Sequence, residues 1–192
     1  MKLNITDEKN DMETMINFYK NMHIENPNMF PGASIRHHID AIGQIIKEKD
    51  AKTILDYGCG QGKQYTDWKV HEKWNVDMPV LFDPAVEEYK NKPNGTFDGV
   101  VCTDVLEHIP RQIIEDVLIE IFSYSEKFSY LVIAMFPAGE ILPDGRNAHV
   151  TLYDKSWWIP LLQKTRNASK NPNTPSFILF RHTVDNYETG WL

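Results

Sequence analysis

A chain of 192 residues with a net charge of −7 and no run of Lys or Arg speaks against nucleic-acid binding by phosphate neutralisation, which needs clustered cations. Hydrophobic residues at 42% and aromatics at 11% exclude a disordered chain and predict one domain with one well-buried core. No apolar run approaches the ~20 residues of a membrane span, and the polar start MKLNITDEKND is unlike a secretory signal.

Residues 7–22 predict a helix, with Met12, Met15, Ile16 and Tyr19 at helical spacing. Met22 reads as a further packing residue. Asn26-Pro27-Asn28 and Pro31-Gly32 interrupt the helix. Ser34 is placed to cap a second helix running to about Lys49, with Ile35, Ile39, Ile42 and Ile46 along one face. Residues 1–50 are thus a helical N-terminal extension. Strand and helix then alternate: strand 52–57, helix 63–69, a polar Trp-containing loop over Lys69–Met78, and strand 79–83. A buried strand over Gly99–Cys102 and a helix over 110–125, opened by Pro110, lead to a strand at 128–135. That alternation predicts an α/β fold with a mostly parallel sheet. A Pro/Gly-rich loop covers 136–150 and a helix 154–164, and Ser176–His182 with the tail are expected as late antiparallel strands.

The first apolar strand ends in Asp56-Tyr57-Gly58-Cys59-Gly60-Gln61-Gly62. Without a Cβ, each glycine lets the backbone turn sharply and lets a ligand lie against the peptide. Asp56 can fix the turn by accepting backbone N–H groups, and a helix starting near Lys63 would aim its free N–H groups into the same crevice. This is how a nucleotide-like cofactor is held at the end of a parallel strand. A dinucleotide fingerprint needs a third glycine at position 63, which is lysine, and a P-loop would need Ser or Thr after Lys63, where Gln64 stands. The remaining pattern, D-x-G-x-G-x-G, resembles motif I of the class I S-adenosylmethionine-dependent methyltransferases. An ordinary Gly-rich turn is the alternative.

Two further motifs in order carry the resemblance. Val80-Leu81-Phe82-Asp83-Pro84 is a second strand stopped by an acid, 27 residues beyond Asp56; a compact βαβ unit would space them by about 20. A carboxylate there can accept both ribose hydroxyls, or Asp83 can simply form the turn before Pro84. Phe97-Asp98-Gly99 through Leu106-Glu107-His108 is similar to the family's fourth motif. The resemblance spans roughly residues 50–165 and implies a Rossmann-like methyltransferase fold. Asp98 follows Asp83 by only fifteen positions, and the segment between contains Pro84, Pro93 and Gly95, so the family's third strand is expected to be reduced or missing. Residues 51–135 become the cofactor-binding core and 136–192 the substrate-loop and C-terminal part. The implied cofactor is S-adenosyl-L-methionine, with His38, Asp56, Gly58, Gly60, Asp83 and Thr103 as its contacts. His38 is assigned to the cofactor carboxylate by its position, with a surface helix histidine as the other reading.

The sulfonium carries its own activation, so a protein that uses it mainly orients and desolvates an in-line attack. A hydroxyl nucleophile would also need a base or a metal. His108 and His149 are placed for that work. Asp104, Glu107, His108 and His149 together resemble carboxylate–His–His sets that bind a divalent ion, magnesium or manganese, in small-RNA 2′-O-methyltransferases, and an acid-x-x-Glu-His corner binds metal in ubiquinone-pathway O-methyltransferases. Those families use Glu where this chain has Asp104. Capping of the next helix by Glu107-His108 is the blander account. Asp144 and Arg146 could clamp a substrate or form a solvated turn; of Trp157 and Trp158 only one can point inward. The reading is methylation, as O-methylation, of a small-molecule acceptor, with no membrane partner. Methylation of a nucleic acid terminus and a non-catalytic S-adenosylmethionine-binding protein are the alternatives, and Lys63 argues against a NAD-binding oxidoreductase. Cys59 and Cys102 read as reduced thiols, and the expected location is cytoplasmic.

Overall fold

The computed structural model describes residues 5–26 and 31–192. In chain order it runs α1 (Ile5–Glu25), a 3-10 turn (Ser34–His37), α2 (Ile39–Glu48), β1 (Ile54–Tyr57), α3 (Lys63–Thr66), α4 (Val70–Trp74) and β2 (Val80–Phe82). β3 (Phe97–Thr103), a 3-10 turn (Leu106–His108), α5 (Ile114–Tyr124), β4 (Ser125–Ala134), α6 (Lys155–Ala168), β5 (Ser176–Arg181) and β6 (Tyr187–Trp191) follow. One six-stranded sheet has the order β2-β1-β3-β4-β5-β6. All neighbours are parallel except β6, which pairs antiparallel with β5.

Strands buried on both faces need continuous apolar runs, and β3 and β4 supply them. Leu55, Val100, Cys102, Leu131, Ile133 and Ile178 point to one face, against Leu118, Ile121 and Phe122 of α5 and Trp158 and Leu162 of α6. Ile54, Val101, Phe128, Tyr130 and Val132 point to the other, against Ile42, Ile45 and Ile46 of α2 and Tyr65, Val70 and Trp74. Each large side chain so buried stabilises the fold by about 1.5–3 kcal/mol. Gly99 has a packing reason: a Cβ there would meet the Phe128 ring at 2.3 Å.

Tyr57 pairs with Phe82, Thr103 with Val132, and Ala134 with Arg181. The ends of these strands therefore share one edge of the sheet, where the loops after β1, β2, β3 and β4 meet. α1 docks there too, since Met15 and Met22 pack with Leu142 and Ala148 of the loop after β4.

Several expectations are corrected. Ser34 caps no helix: α2 begins at Ile39 with no side-chain cap. The expected helix 63–69 stops at Thr66, and Lys69 turns left-handed at φ 54° into α4, inside what reads as a loop. Burial explains α4: Trp74 lies edge-on to Tyr65 at 6.2 Å and donates from Nε1 to the Ile39 carbonyl at 2.9 Å. α5 starts at Ile114, not at Pro110: Ile109 is extended before the proline, and residues 110–113 form a turn in which Ile113 N–H bonds the Pro110 carbonyl at 3.1 Å. β5 is parallel to β4, so β6 is the one late antiparallel strand. No strand occurs between Phe82 and Phe97, in keeping with the short link there. The Pro27-Asn28 break lies outside the described residues.

Candidate functional site

Beyond Tyr57 the backbone takes positive φ at Gly58 (81°), Gly60 (57°) and Gly62 (65°), the left-handed region that glycine enters without cost. Gly58 and Cys59 donate their N–H groups to the Phe82 carbonyl at 2.7 and 3.2 Å. Gly60 donates to Asp83 Oδ2 and Ala85 to Asp83 Oδ1, both at 2.9 Å. Asp83 thus clamps the glycine loop to the end of β2, and each carboxylate oxygen keeps a lone pair for a ligand hydroxyl. Burial pushes its pKa up. A Cβ on Gly58 would meet Val105 at 2.4 Å, and one on Gly62 would meet Leu81 at 2.7 Å. The space beside Gly58 is therefore filled by the corner after β3.

Two details differ from expectation. Asp56 bonds no loop N–H; it is buried beneath the loop and accepts from Gln64 Nε2 at 2.6 Å, and burial pushes its pKa up to about 7. The first N–H groups of α3 are capped, Lys63 by the Pro31 carbonyl at 3.1 Å and Gln64 by the Gly32 carbonyl at 3.2 Å. Gly32, at φ 69°, is a residue the sequence reading passed over. A Cβ on it would sit 2.1 Å from the Cys59 carbonyl oxygen. Its only sequence signal was Pro31-Gly32, which reads equally as a helix breaker.

Thr103 and Ser34 face each other, with hydroxyls 2.6 Å apart, and Ser34 also donates to the Thr103 carbonyl at 3.1 Å. His38 Nδ1 lies 3.2 Å from the Tyr130 hydroxyl. Burial lowers its pKa to about 4, so near neutral pH it offers a ligand an N–H and no charge.

The corner after β3 begins with Asp104 at φ 55°. Its carboxylate accepts from Arg181 Nη1 at 2.7 Å, and the Arg181 guanidinium stacks 5.4 Å from the Phe136 ring centre. Glu107 is fully buried: Oε1 accepts from Ala134 N–H at 3.1 Å, while Oε2 has no partner among the described residues. Burial, reinforced by Asp104, drives its pKa well up. His108 Nδ1 sits 3.0 Å from the Ala148 carbonyl and 2.7 Å from the Tyr19 hydroxyl. Burial lowers its pKa to about 3, and His149 adds to the effect. His149 Nδ1 bonds the Phe136 carbonyl. Its peptide is fixed by Asn147, whose side chain accepts from His149 N–H at 3.0 Å and pins Ala138 across the loop.

The two imidazoles are 4.7 Å apart at 86°. Ligand atoms of Glu107, His108 and His149 all lie within 4.8 Å of one another. Three of the four expected metal ligands converge; Asp104 stands outside that group, turned to Arg181. The three fit a divalent cation. Each Nδ1 faces a carbonyl, which can only accept, so each Nδ1 carries the hydrogen and each Nε2 keeps its lone pair. The buried Glu107 Oε2 lacks the partner that such an atom needs. Donors at 2.0–2.2 Å stand at most roughly 4.4 Å apart on a shared ion, so binding would draw these three side chains slightly inward.

Arg146 pairs with Asp144 inside its own turn at 2.8 Å and reaches Met15 Sδ at 3.6 Å. Trp158 is fully buried, and Trp157 stacks on Tyr153 at 4.3 Å. Tyr19 and Arg181 are site neighbours that sequence spacing could not reveal. No described helix is long and apolar enough to cross a membrane. A family model described as a methyltransferase domain matches residues 28–172. No curated protein matches the chain, and no solved structure does.

Proposed function

Because the chain belongs to the methyltransferase domain family and is an S-adenosylmethionine-dependent methyltransferase, we propose that it methylates an oxygen of a small-molecule acceptor at the Glu107–His108–His149 corner, which holds magnesium or manganese. The bound cofactor supplies a methyl group already activated on sulfonium sulfur. Asp83 is the residue to accept the ribose hydroxyls, through the lone pairs that Gly60 and Ala85 leave free. The left-handed glycines let the cofactor lie along the loop, with Thr103, Ser34 and His38 on its far side. A divalent ion held by Glu107 Oε2 and the two Nε2 atoms would lower the pKa of the acceptor hydroxyl.

The observation that carries this reading is the pairing of two carbonyl-oriented histidines with an orphaned buried carboxylate oxygen. The acidic charge of −7, without a basic cluster, supports a small molecule over a nucleic acid terminus. The buried free thiols of Cys59 and Cys102 support a cytoplasmic setting.

Incubation with labelled cofactor and a metabolite extract tests the proposal. Transfer should stop in EDTA and return with added Mg²⁺ or Mn²⁺. Transfer that survives EDTA yet falls in His149→Ala would replace the cation with a histidine base. His149 is the better candidate for that role, because burial holds His108 down to about 3, too weak a base near pH 7.

A further inference from the structure

The helix that precedes the family match enters the acceptor corner with one polar group. Tyr19 lies on α1, outside residues 28–172. Its hydroxyl stands 2.7 Å from His108 Nδ1 and donates to the Ala148 carbonyl at 3.2 Å. That carbonyl is also 3.0 Å from His108 Nδ1. The Ala148 carbonyl can only accept, so the Nδ1 hydrogen points between Ala148 O and Tyr19 Oη, and the tyrosine gives its own hydrogen to the same carbonyl.

One hydroxyl thereby ties together segments 89 and 129 residues apart: α1, the turn that carries His108, and the peptide that leads into His149. The Tyr19 ring adds an edge-on contact with His108 at 5.6 Å and 87°. Met15, Met22, Leu142 and Ala148 surround the junction, and a low-dielectric setting strengthens each of its bonds. α1 has other anchors, since Lys20 pairs with Glu87 at 3.2 Å on the exposed side. Docking of the helix is therefore separable from the bonds the hydroxyl makes.

We propose that Tyr19 is a positioning residue, whose hydroxyl fixes the Nδ1–H tautomer of His108 and the Ala148–His149 peptide so that both Nε2 atoms face one ligand beside Glu107. The inference rests on the reading of that corner as a divalent cation site. Metal-binding histidines are commonly held this way by a hydrogen bond to the other ring nitrogen, and losing the holding group costs about 10–100-fold in metal affinity.

Tyr19→Phe keeps the ring and its packing and removes only the hydroxyl. Co²⁺ is titrated by visible absorbance into the wild type, Tyr19→Phe and Lys20→Ala, and S-adenosylhomocysteine binding is measured calorimetrically on the same samples. Co²⁺ affinity should fall about 10–100-fold in Tyr19→Phe and stay unchanged in Lys20→Ala, with S-adenosylhomocysteine affinity equal in all three. Equal Co²⁺ affinity in the wild type and Tyr19→Phe overturns the positioning role and leaves the cation site standing. A matching loss in Lys20→Ala, or a loss of S-adenosylhomocysteine binding in Tyr19→Phe, also overturns it, by assigning the effect to helix docking or to folding. If the wild type takes up no Co²⁺, the cation reading fails by itself. Long-range proton–nitrogen spectra of the histidines then decide: a tautomer shift at His108 in Tyr19→Phe supports positioning, and identical spectra overturn it.

Discussion

Replacing Asp56 by Asn should remove a large part of the pH dependence of stability. Asp56 is 1% exposed beneath the glycine loop, with Gln64 Nε2 at 2.6 Å as its hydrogen-bond donor. Burial penalises the charged form more than that bond rewards it, and the pKa rises from 3.8 to about 7. The folded state therefore holds the proton more tightly than the unfolded state. The associated stability is fully present below about pH 4 and is lost as pH rises through about 7. Each pH unit in that interval is worth about 1.4 kcal/mol, so ionisation costs about 4 kcal/mol by pH 8. Against a total of roughly 5–15 kcal/mol for a domain, that is a large share. Asn fills the same space, and its carbonyl oxygen can still accept from Gln64. Glu107 shifts in the same direction as Asp56, and His38 and His108 shift in the opposite sense. The difference between the two proteins isolates Asp56. Urea unfolding at pH 5 and pH 8 should show the advantage of Asp56→Asn over the wild type widening by about 2–3 kcal/mol from the lower pH to the higher. Parallel curves for the two proteins across that range would refute the argument.

Asp83→Ala should weaken S-adenosylmethionine binding by roughly ten- to a hundredfold in calorimetry, since charge-assisted bonds are worth about 1.5–3 kcal/mol. It should also lower the melting temperature, because Gly60 and Ala85 lose the acceptor for their N–H groups. Gly58→Ala should impair both cofactor binding and stability, through the 2.4 Å clash with Val105 and the φ of 81°. Adding Val105→Ala should relieve the clash and leave backbone strain of about 1–3 kcal/mol; a double variant no more stable than Gly58→Ala would show that packing is not the cause.

The parts legible in the sequence are those that local sterics impose. Glycines at alternate positions after an apolar run mark a left-handed turn wherever the chain goes, and Gly58, Gly60 and Gly62 adopt it. The alternating apolar runs demand a sheet covered on both faces, and the short link before Asp98 leaves no room for a full helix–strand–helix insert. Glu107, His108 and His149 were legible as a group because strands that share an edge bring their following loops together. Tertiary structure decided the rest. Asp104 sits in the same corner, yet Arg181, 77 residues away, turns its carboxylate aside. The N–H groups that open α3 are satisfied by Pro31 and Gly32, carbonyls from a segment that reads only as a break. β5 became parallel because α6 carries the chain back across the sheet before it. Tyr19, spaced as an ordinary packing residue, bonds His108 because α1 folds over the loop after β4. Periodicity records which face of a helix is apolar; which buried group that face meets depends on contacts between distant segments, and these form only as the whole sheet edge assembles.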